Sequence, residues 1–378
     1  MSVTVSPPLS IALDARRWGR TGLGRYQSEL YRHLRELAPE VTLHLVGGPP
    51  AEAARLGASW RSFPAALYSP REQLLGGRAM RRAGADVCHY PHYAVPWWAP
   101  QPFVVTVHDL IHFRFPHEFG AARVALARHV LARAVTRAAR VICVSQCTRR
   151  DLDAVVPGAA ARAAIIGEGV SSRFRPADAG EVEAVRAQYG LHRYVLSMGD
   201  RAAHKRFDVA AAAFQWLRQR DTTLQLAIVG EGGARPAADP EGSVRLGYVE
   251  DARLRALYTG AACLLFPSAY EGFGLPPLEA MACGCPVVCS RGSSLDEVCG
   301  GAAVQVDGGD WREVAEAAWI VIDDAAVRRT RVEAGLAHAA RFSWHEAARQ
   351  TLEVLREAAV SRPVTSDRNR APSRAPRA

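Results

Sequence analysis

Lysine is almost absent from this chain, because only Lys205 among its 47 Lys and Arg residues is a lysine. The chain also lacks any apolar run of the roughly 18 to 20 residues that a membrane-spanning helix requires. Its N-terminus has no basic stretch followed by an apolar one, which is the pattern of a secretory signal. These absences predict a cytoplasmic protein without a spanning helix, and they single out one basic side chain.

Paired cysteines are missing as well. None of the eight cysteines forms a C-x-x-C pair, and Cys88, Cys143 and Cys263 lie in strand-like apolar segments. Cys283 and Cys285 are close together, but structural zinc sites usually combine two paired spacings. We therefore predict buried free thiols in a reducing compartment, with no disulfide and no metal site.

The net charge of +9 does not by itself indicate nucleic-acid binding. Residues 361–378 carry five arginines and one aspartate, and their Pro, Ser and Arg content predicts a disordered basic tail. No zinc finger or RNA-binding aromatic signature accompanies the charge, so we predict no nucleic-acid partner. Anionic lipids or phosphates account for the remaining positive charge equally well.

The length of 378 residues and the hydrophobic content of 49% allow two domains, each with its own core. Strand-like segments alternate with helical ones in two runs, as in parallel sheets covered by helices. The first run predicts strands at 9–15, 41–46, 86–90, 103–108 and 140–145. The second predicts strands at 194–198, 224–229, 244–246, 262–267, 286–290 and 302–306. We therefore predict α/β domains of the Rossmann type at 1–172 and 173–341, with ligands beyond the carboxyl ends of the strands.

The segment from Tyr270 to Ala282 carries the most information about function. It follows the predicted strand at 262–267, and Pro276 and Pro277 open a stretch of helical composition. Two glycines at 272 and 274 allow a tight turn, and the free N–H groups of a new helix favour an anion there. Carboxylates at 271 and 279 bracket this loop, where both can meet a ligand rich in hydroxyl groups.

This segment resembles the E-x7-E motif of retaining GT-B glycosyltransferases, in the large family (glycosyltransferase family 4) that includes bacterial mannosyltransferases. Pro267 and Ser268 before the motif and residues 284–288 after it extend the resemblance, which covers most of residues 9 to 360. It implies the GT-B architecture, in which two Rossmann-like parallel-sheet domains face each other across a cleft. It also implies that a C-terminal helix, predicted at 342–360 with Ser343 in the N-cap position, crosses back to the first domain.

The resemblance assigns roles to the residues of the motif. Glu271 would contact the donor sugar, and Glu279 would hold the ribose hydroxyls. The donor sugar and its diphosphate would also meet the loop residues Gly272, Phe273, Gly274 and Leu275. An ordinary strand, turn and helix with surface acids is the alternative interpretation, and the joint pattern favours the functional one.

Lys205 lies in a loop directly after the predicted strand at 194–198. A compact ammonium group suits the developing charge of a diphosphate leaving group, and the resemblance places Lys205 at the donor diphosphate. Asp200 stands where many family members have a second basic residue, so we assign that charge to Arg201 or Arg206. A leftover surface lysine is the alternative interpretation.

The first half contributes four further candidate residues. Gly22, Gly24 and Arg25 follow the first strand and form a candidate acceptor or phosphate loop, although an ordinary helix start explains them too. His108 ends the strand at 103–108; the resemblance makes it a donor-sugar contact, and a structural histidine is the alternative. In the second half, the resemblance places the main chain of Val249 at the nucleobase.

One predicted surface is basic and aromatic. A helical stretch presents Arg123, Arg133, Arg137 and Arg140 on one arc, and Trp97 and Trp98 lie in a proline-bounded loop. A solvated helix face is one interpretation of the arginines. Contact with anionic lipid headgroups is the other. The two tryptophans suit either such an interface or an acceptor cleft.

Together these features predict a retaining hexosyltransferase. It would move a sugar from a nucleotide sugar, with GDP-mannose as the first choice, to a hydroxyl of a glycan or lipid-linked acceptor in cell-envelope synthesis, at the inner face of the membrane. The resemblance implies no cofactor and no bound metal. Two alternatives stay open: a nucleotide-sugar epimerase or hydrolase on the same fold, and a catalytically degenerate nucleotide-sugar-binding protein, which Asp200 supports.

Overall fold

A computed structural model describes residues 8–19, 21–198, 202–230 and 239–361 of the chain. Its strands are Ser10–Asp14 (β1), Thr42–Val46 (β2), Ser59–Arg61 (β3), Val87–Tyr90 (β4), Phe103–Val107 (β5), Arg140–Cys143 (β6), Ala163–Ile165 (β7), Arg193–Met198 (β8), Leu224–Val229 (β9), Ser243–Gly247 (β10), Leu264–Phe266 (β11), Val287–Ser290 (β12) and Val304–Val306 (β13). They form a seven-stranded sheet in the order β3-β2-β1-β4-β5-β6-β7 and a six-stranded sheet in the order β10-β9-β8-β11-β12-β13. Every strand pairing is parallel. The predicted α/β class with two Rossmann-like sheets is confirmed.

Helices connect the strands and cover the sheets. They are Gly22–Leu37 (α1), Pro50–Arg55 (α2), Pro70–Arg81 (α3), Ile111–Arg114 (α4), Pro116–Phe119 (α5), Ala121–Arg137 (α6), Gln146–Val155 (α7), Ala179–Tyr189 (α8), Phe207–Arg220 (α9), Asp251–Gly260 (α10), Leu275–Ala282 (α11), Leu295–Cys299 (α12), Trp311–Asp323 (α13), Ala325–Ala339 (α14) and Trp344–Val360 (α15). Short 3-10 helices span Ala159–Arg162, Ala203–Lys205 and Gly300–Ala302. The prediction that four arginines share one helical face is wrong for Arg140, which begins β6. The other three, Arg123, Arg133 and Arg137, do lie in α6.

The central strands are buried on both faces, as strands beneath two layers of helices must be. Every residue of β4, β5 and β12 is buried, which explains why most of the residues in these segments are apolar. The two strands that the sequence analysis missed, β3 and β7, are three-residue strands at the edges of the first sheet. The residues of β3 are exposed and those of β7 are only partly buried, so neither shows the pattern of a strand covered on both faces.

The last helix returns to the first half of the chain. Helix α15 packs along α1 and against β4, β5 and β6, and Val170 pairs with Ser343 where the chain crosses.

The second half begins with α8. Asp178 is the N-cap of this helix, and Glu181 completes a capping box with it. The domain limits given above stay predictions, and residues 362–378 of the predicted tail lie outside the described ranges.

All eight cysteines are buried free thiols. Burial raises the pKa of the Cys88, Cys143 and Cys263 thiols to about 12, so they behave as small apolar groups. Within the described part of the chain, no cluster of His, Cys, Asp and Glu side chains is arranged to hold a metal ion. The described helices include none with the length and apolarity that crossing a membrane demands.

Candidate active site

The two sheets meet across a cavity of about 550 Å³ that both halves line. Strand order reverses between β1 and β4 in the first sheet and between β8 and β11 in the second. Such switch points open a crevice beyond the carboxyl ends of the strands, which is where open α/β sheets bind ligands. Lys205 follows β8, Glu271 follows β11 and His108 follows β5, and all three side chains line the cavity.

Lys205 and Glu271 form an ion pair on the wall of the second half. The Lys205 ammonium donates to Glu271 Oε1 at 2.7 Å, and their side chains are only 24% and 13% exposed. The ammonium also lies 5.9 Å from the centre of the Phe266 ring. A cation with this little contact with water acts more strongly on a bound phosphate than an exposed one.

His108 is held from two sides. Its Nδ1 lies 2.9 Å from Glu168 Oε1, and the edge of its ring meets Tyr26 with ring centres 4.4 Å apart. Because the Glu168 carboxylate accepts a hydrogen bond, Nδ1 carries the proton and Nε2 is the nitrogen left for a ligand. Nε2 has no hydrogen-bond partner within the described ranges. Sequence reasoning missed Glu168, since a carboxylate between two glycines of a linker gives no local sign of contacting a strand end.

The glycine loop, residues 271–275, is held in place by hydrogen bonds to its carbonyl groups. Ser145 Oγ donates to the carbonyl oxygen of Gly272 at 2.7 Å, and Ser294 Oγ lies 2.8 Å and 2.9 Å from the carbonyl oxygens of Glu271 and Phe273. Gly274, with φ of 110°, is the N-cap of α11, and no side chain caps this end. The loop's carbonyl groups are thus occupied while the start of α11 lines the cavity, an arrangement that suits an anion.

Glu279 and Arg25 were predicted separately, yet the structure brings them together. The Arg25 guanidinium of α1 donates to Glu279 in α11 and to Asp251 in α10, so it joins the two halves. Burial raises the pKa of the Glu279 carboxyl to about 7, and Arg25 opposes this shift. The ionised form of Glu279 near neutral pH therefore depends on Arg25.

A second cavity of about 270 Å³ adjoins Arg25. Val249, predicted at the nucleobase, lines it together with Tyr248, Asp251 and Gly230. Arg173 spans its rim, donating to Asp251 Oδ2 at 2.8 Å and to Glu29 Oε1 at 3.1 Å. Arg25 thus lies at the junction between the Glu279 carboxylate and this smaller cavity.

The remaining predicted residues divide into three groups. Gly22 lines the larger cavity, and Gly24 lies so close to the preceding loop that a Cβ would fall 2.5 Å from the carbonyl oxygen of Gly19. Arg206 is not among the cavity's lining residues, and a Cβ on Gly309 would lie 3.5 Å from its guanidinium. Arg201 lies outside the described residues, as does Asp200.

Comparisons with known proteins identify this arrangement. The family description Glycosyltransferase Family 4 matches residues 20–174, and Glycosyl transferases group 1 matches residues 192–324. O-antigen chain mannosyltransferase B of Escherichia coli is 30% identical over 373 residues, covering 90% of this chain and 97% of its own. The chain belongs to glycosyltransferase family 4. This family-4 chain is also 30% identical to D-inositol 3-phosphate glycosyltransferase of Salinispora arenicola over 366 residues, covering 86% of this chain and 80% of that protein.

Solved structures agree on the fold. HepE of Anabaena, determined in complex with UDP and glucose, superimposes with a TM-score of 0.74 at 18% identity, covering 92% of this chain and 100% of HepE. Sucrose-phosphate synthase of Thermosynechococcus elongatus gives 0.73 at 20% identity, covering 92% and 98%. The family-4 chain is therefore a glycosyltransferase with the GT-B fold, as predicted.

Proposed function

We propose that the protein transfers a hexose from a nucleotide sugar to a hydroxyl of a glycan or lipid-linked acceptor, with retention of configuration, in cell-envelope polysaccharide or glycolipid synthesis. The observation that carries this proposal is the meeting of Lys205, Glu271 and His108 with the start of α11 in one cavity between the halves. The similarity to an O-antigen mannosyltransferase favours GDP-mannose as the donor.

In this proposal the protein accelerates the transfer by stabilising the charge of the departing diphosphate and by orienting the sugar. The bond between the anomeric carbon and the donor phosphate breaks, negative charge builds on the departing diphosphate, and Lys205 and the N–H groups of α11 stabilise it. The acceptor oxygen bonds to the anomeric carbon on the same face and passes its proton to a phosphate oxygen. His108 Nε2 and Glu271 orient the sugar. The Lys205 ammonium and the N–H groups at the start of α11 neutralise the diphosphate in this proposal, so the proposed reaction uses no metal ion.

Nucleotide binding provides the first test. We expect one of GDP, UDP, ADP and dTDP to raise the melting temperature, since saturation at about 100 times the dissociation constant adds about 2.7 kcal/mol. Lys205→Ala should reduce this shift, because the variant removes a cation from the diphosphate. Failure of all four nucleotides to stabilise the parent protein would contradict the proposal and favour a protein with no donor site.

Measuring donor consumption with and without an acceptor distinguishes a transferase from a hydrolase, an epimerase or a degenerate binding protein. A transferase consumes donor only when an acceptor is present, whereas a hydrolase or epimerase converts the donor alone. Donor binding without turnover under any condition would identify a degenerate binding protein. NMR of the product's anomeric proton then decides between retention and inversion.

We further propose that the first half rests on an anionic membrane through an apolar and basic surface made of Leu74, Leu75, Trp97, Trp98 and the arginines at 78, 81 and 82. The four apolar side chains are 55%, 48%, 43% and 55% exposed. Arg137 and Arg81 donate to the carbonyl oxygens of Trp97 and Trp98, which fixes the tryptophan loop. Exposed tryptophans beside arginines match the boundary between headgroups and acyl chains.

Vesicle sedimentation tests this surface. Replacing Trp97 and Trp98 by serine should lower the apparent affinity for vesicles rich in phosphatidylglycerol about fivefold or more, because both rings leave the interface. Ile320→Ser, an equally exposed apolar change on α13 of the other half, serves as the matched control. Equal binding by parent and double variant, or equal binding to neutral vesicles, would refute the membrane surface.

A further inference from the structure

One wall of the larger cavity has chemistry that the donor does not use. This wall belongs to the first half and presents Tyr68, His92, Tyr93 and His112 opposite the glycine loop. His92 follows β4 at the switch point of the first sheet, beside Asp14 at the end of β1. Since Lys205, Glu271 and the glycine loop, which would hold the donor diphosphate and sugar, lie on the other wall, a ligand here would be the second substrate.

His92 is a buried imidazole with unmet hydrogen-bonding capacity. It is only 6% exposed, and neither ring nitrogen makes a hydrogen bond of normal geometry to a described residue. Nε2 nevertheless lies 3.1 Å from Asp14 Oδ2, so the carboxylate fixes that side of the ring. Buried polar atoms nearly always have a partner. The unpartnered Nδ1 in a cavity wall therefore indicates a ligand atom that can hydrogen bond.

Asp14 remains a carboxylate in this setting. Burial disfavours its charge, but Arg16 and His92 outweigh burial and hold its pKa well below the usual range. Arg16 donates to Asp14 Oδ2 at 2.7 Å and to Glu72 Oε1 at 2.6 Å. Its guanidinium is therefore committed to two buried carboxylates and is not offered to a ligand.

Tyr68 is held in an unusual backbone conformation. Its φ of 62° lies in the left-handed region, which bulky residues rarely adopt. The fully buried Glu72 carboxylate accepts a hydrogen bond from the Tyr68 N–H and thereby stabilises this turn. The centre of the Tyr68 ring lies 6.2 Å from the centre of the Tyr93 ring and 6.4 Å from that of His112. The Tyr93 hydroxyl is 3.1 Å from His112 Nδ1. Strain of this kind, fixed by a buried carboxylate, is often found where a side chain serves a ligand.

The charge of this wall argues against a phosphorylated ligand. Among the described residues that line it, Arg17 is the only arginine, and Asp109 and Glu168 add carboxylates to the same cavity. A phosphate group is usually bound by several converging cations or by a free helix start. The start of α1 also lines this cavity, but Thr21 Oγ1 already accepts a hydrogen bond from the Gly24 N–H there. An aromatic ring with neighbouring hydrogen-bonding groups is instead suited to the apolar face and the hydroxyls of a sugar.

We propose that this wall is the acceptor subsite and that it takes an uncharged sugar residue, stacked on Tyr68 with a hydroxyl bonded to His92 Nδ1. This inference rests on the proposed transferase function and specifies the chemical class of its acceptor. Tyr68 is a positioning and specificity residue here, since it holds the acceptor without taking part in bond changes.

Kinetics with matched acceptors test the proposal. Methyl glycosides of mannose, glucose, galactose and N-acetylglucosamine are compared with mannose 6-phosphate and glucose 6-phosphate, using the donor that nucleotide stabilisation identifies. At least one neutral glycoside should accept sugar, and the phosphorylated sugars should be poorer acceptors than their neutral counterparts. Exclusive use of phosphorylated sugars, or of no sugar in the panel, would overturn the assignment.

Tyr68→Asn locates the subsite. Asparagine tolerates the left-handed backbone, so this change removes the ring without adding strain. The acceptor KM should rise about tenfold while kcat changes little, because only stacking is lost. Tyr68→Phe keeps the ring and should leave KM near its parent value. An unchanged KM in Tyr68→Asn, with nucleotide stabilisation intact, would refute the subsite alone, whereas absence of nucleotide stabilisation in the parent would refute the transferase function.

Discussion

Replacing Lys205 by methionine should lower the turnover of sugar transfer at least about a hundredfold, equivalent to about 2.7 kcal/mol of transition-state stabilisation. The reason is that negative charge grows on the diphosphate as the glycosidic bond breaks, and the Lys205 ammonium is a half-buried cation on that wall of the cavity. Methionine keeps most of the side-chain volume and removes only the charge. The measurement is kcat with saturating donor and acceptor.

Two further variants make this experiment decisive. Lys205→Arg restores the charge with a planar group, and we expect partial recovery because a guanidinium cannot reproduce the position of a compact ammonium. Arg220→Met removes an exposed arginine that stacks on Trp216 at the end of α9, and it should leave turnover unchanged. If Lys205→Met retains near-normal turnover and an unchanged melting temperature, Lys205 does not belong to the active site.

The sheets were predictable because their central strands are buried on both faces. An apolar run bounded by turn residues marks such a strand, as at Phe103–Val107 and Leu224–Val229, where the predicted and observed segments nearly coincide. Strand Ser59–Arg61 is fully exposed at a sheet edge and was missed. Arg140 was counted on the helical arc and also as the first residue of the strand at 140–145; the strand is correct and the arc is not, because arginine spacing alone does not mark a helix end.

The cavity could be predicted only in part. Cavity residues at the carboxyl ends of strands, such as His108, Lys205 and Glu271, can be predicted from the sequence because a parallel sheet brings those ends to one edge. Contacts between residues distant in the chain are not readable in this way. Glu168 reaches His108 across 60 positions, which depends on how the first half folds. Arg25 reaches Glu279 across 254 positions, which depends on how the two sheets face each other.

The packing of the two halves against each other also explains why the glycine loop requires glycine at position 272. The carbonyl oxygen of Gly272 accepts from Ser145, while Gln146 and Cys147 at the start of α7 donate to the Glu297 carboxylate from the other half. Side-chain hydrogen bonds therefore hold the glycine loop against the start of α7, and the backbone of Gly272 lies directly on the backbone of His108 at the end of β5.

Gly272→Ala should consequently lower turnover at least about a hundredfold, because displacement of reacting groups by about 1 Å can have that effect. A Cβ at this position would lie 1.9 Å from the carbonyl oxygen of His108, so the loop or the end of β5 must move. Either movement separates Glu271 and Lys205 from His108. The measurement is kcat together with the melting temperature, with and without the stabilising nucleotide.

Gly301→Ala is the matched control for this prediction. Gly301 has no left-handed φ, and a Cβ there would meet nothing within 4 Å, so the same chemical change should leave turnover and melting temperature close to those of the parent. If Gly272→Ala behaves like Gly301→Ala, the two halves are not packed this closely when the enzyme works, and the contact between Gly272 and His108 is absent from the reacting state. If turnover falls while the nucleotide still raises the melting temperature, the fold and donor site persist and the loss arises from the relative position of His108 and the glycine loop.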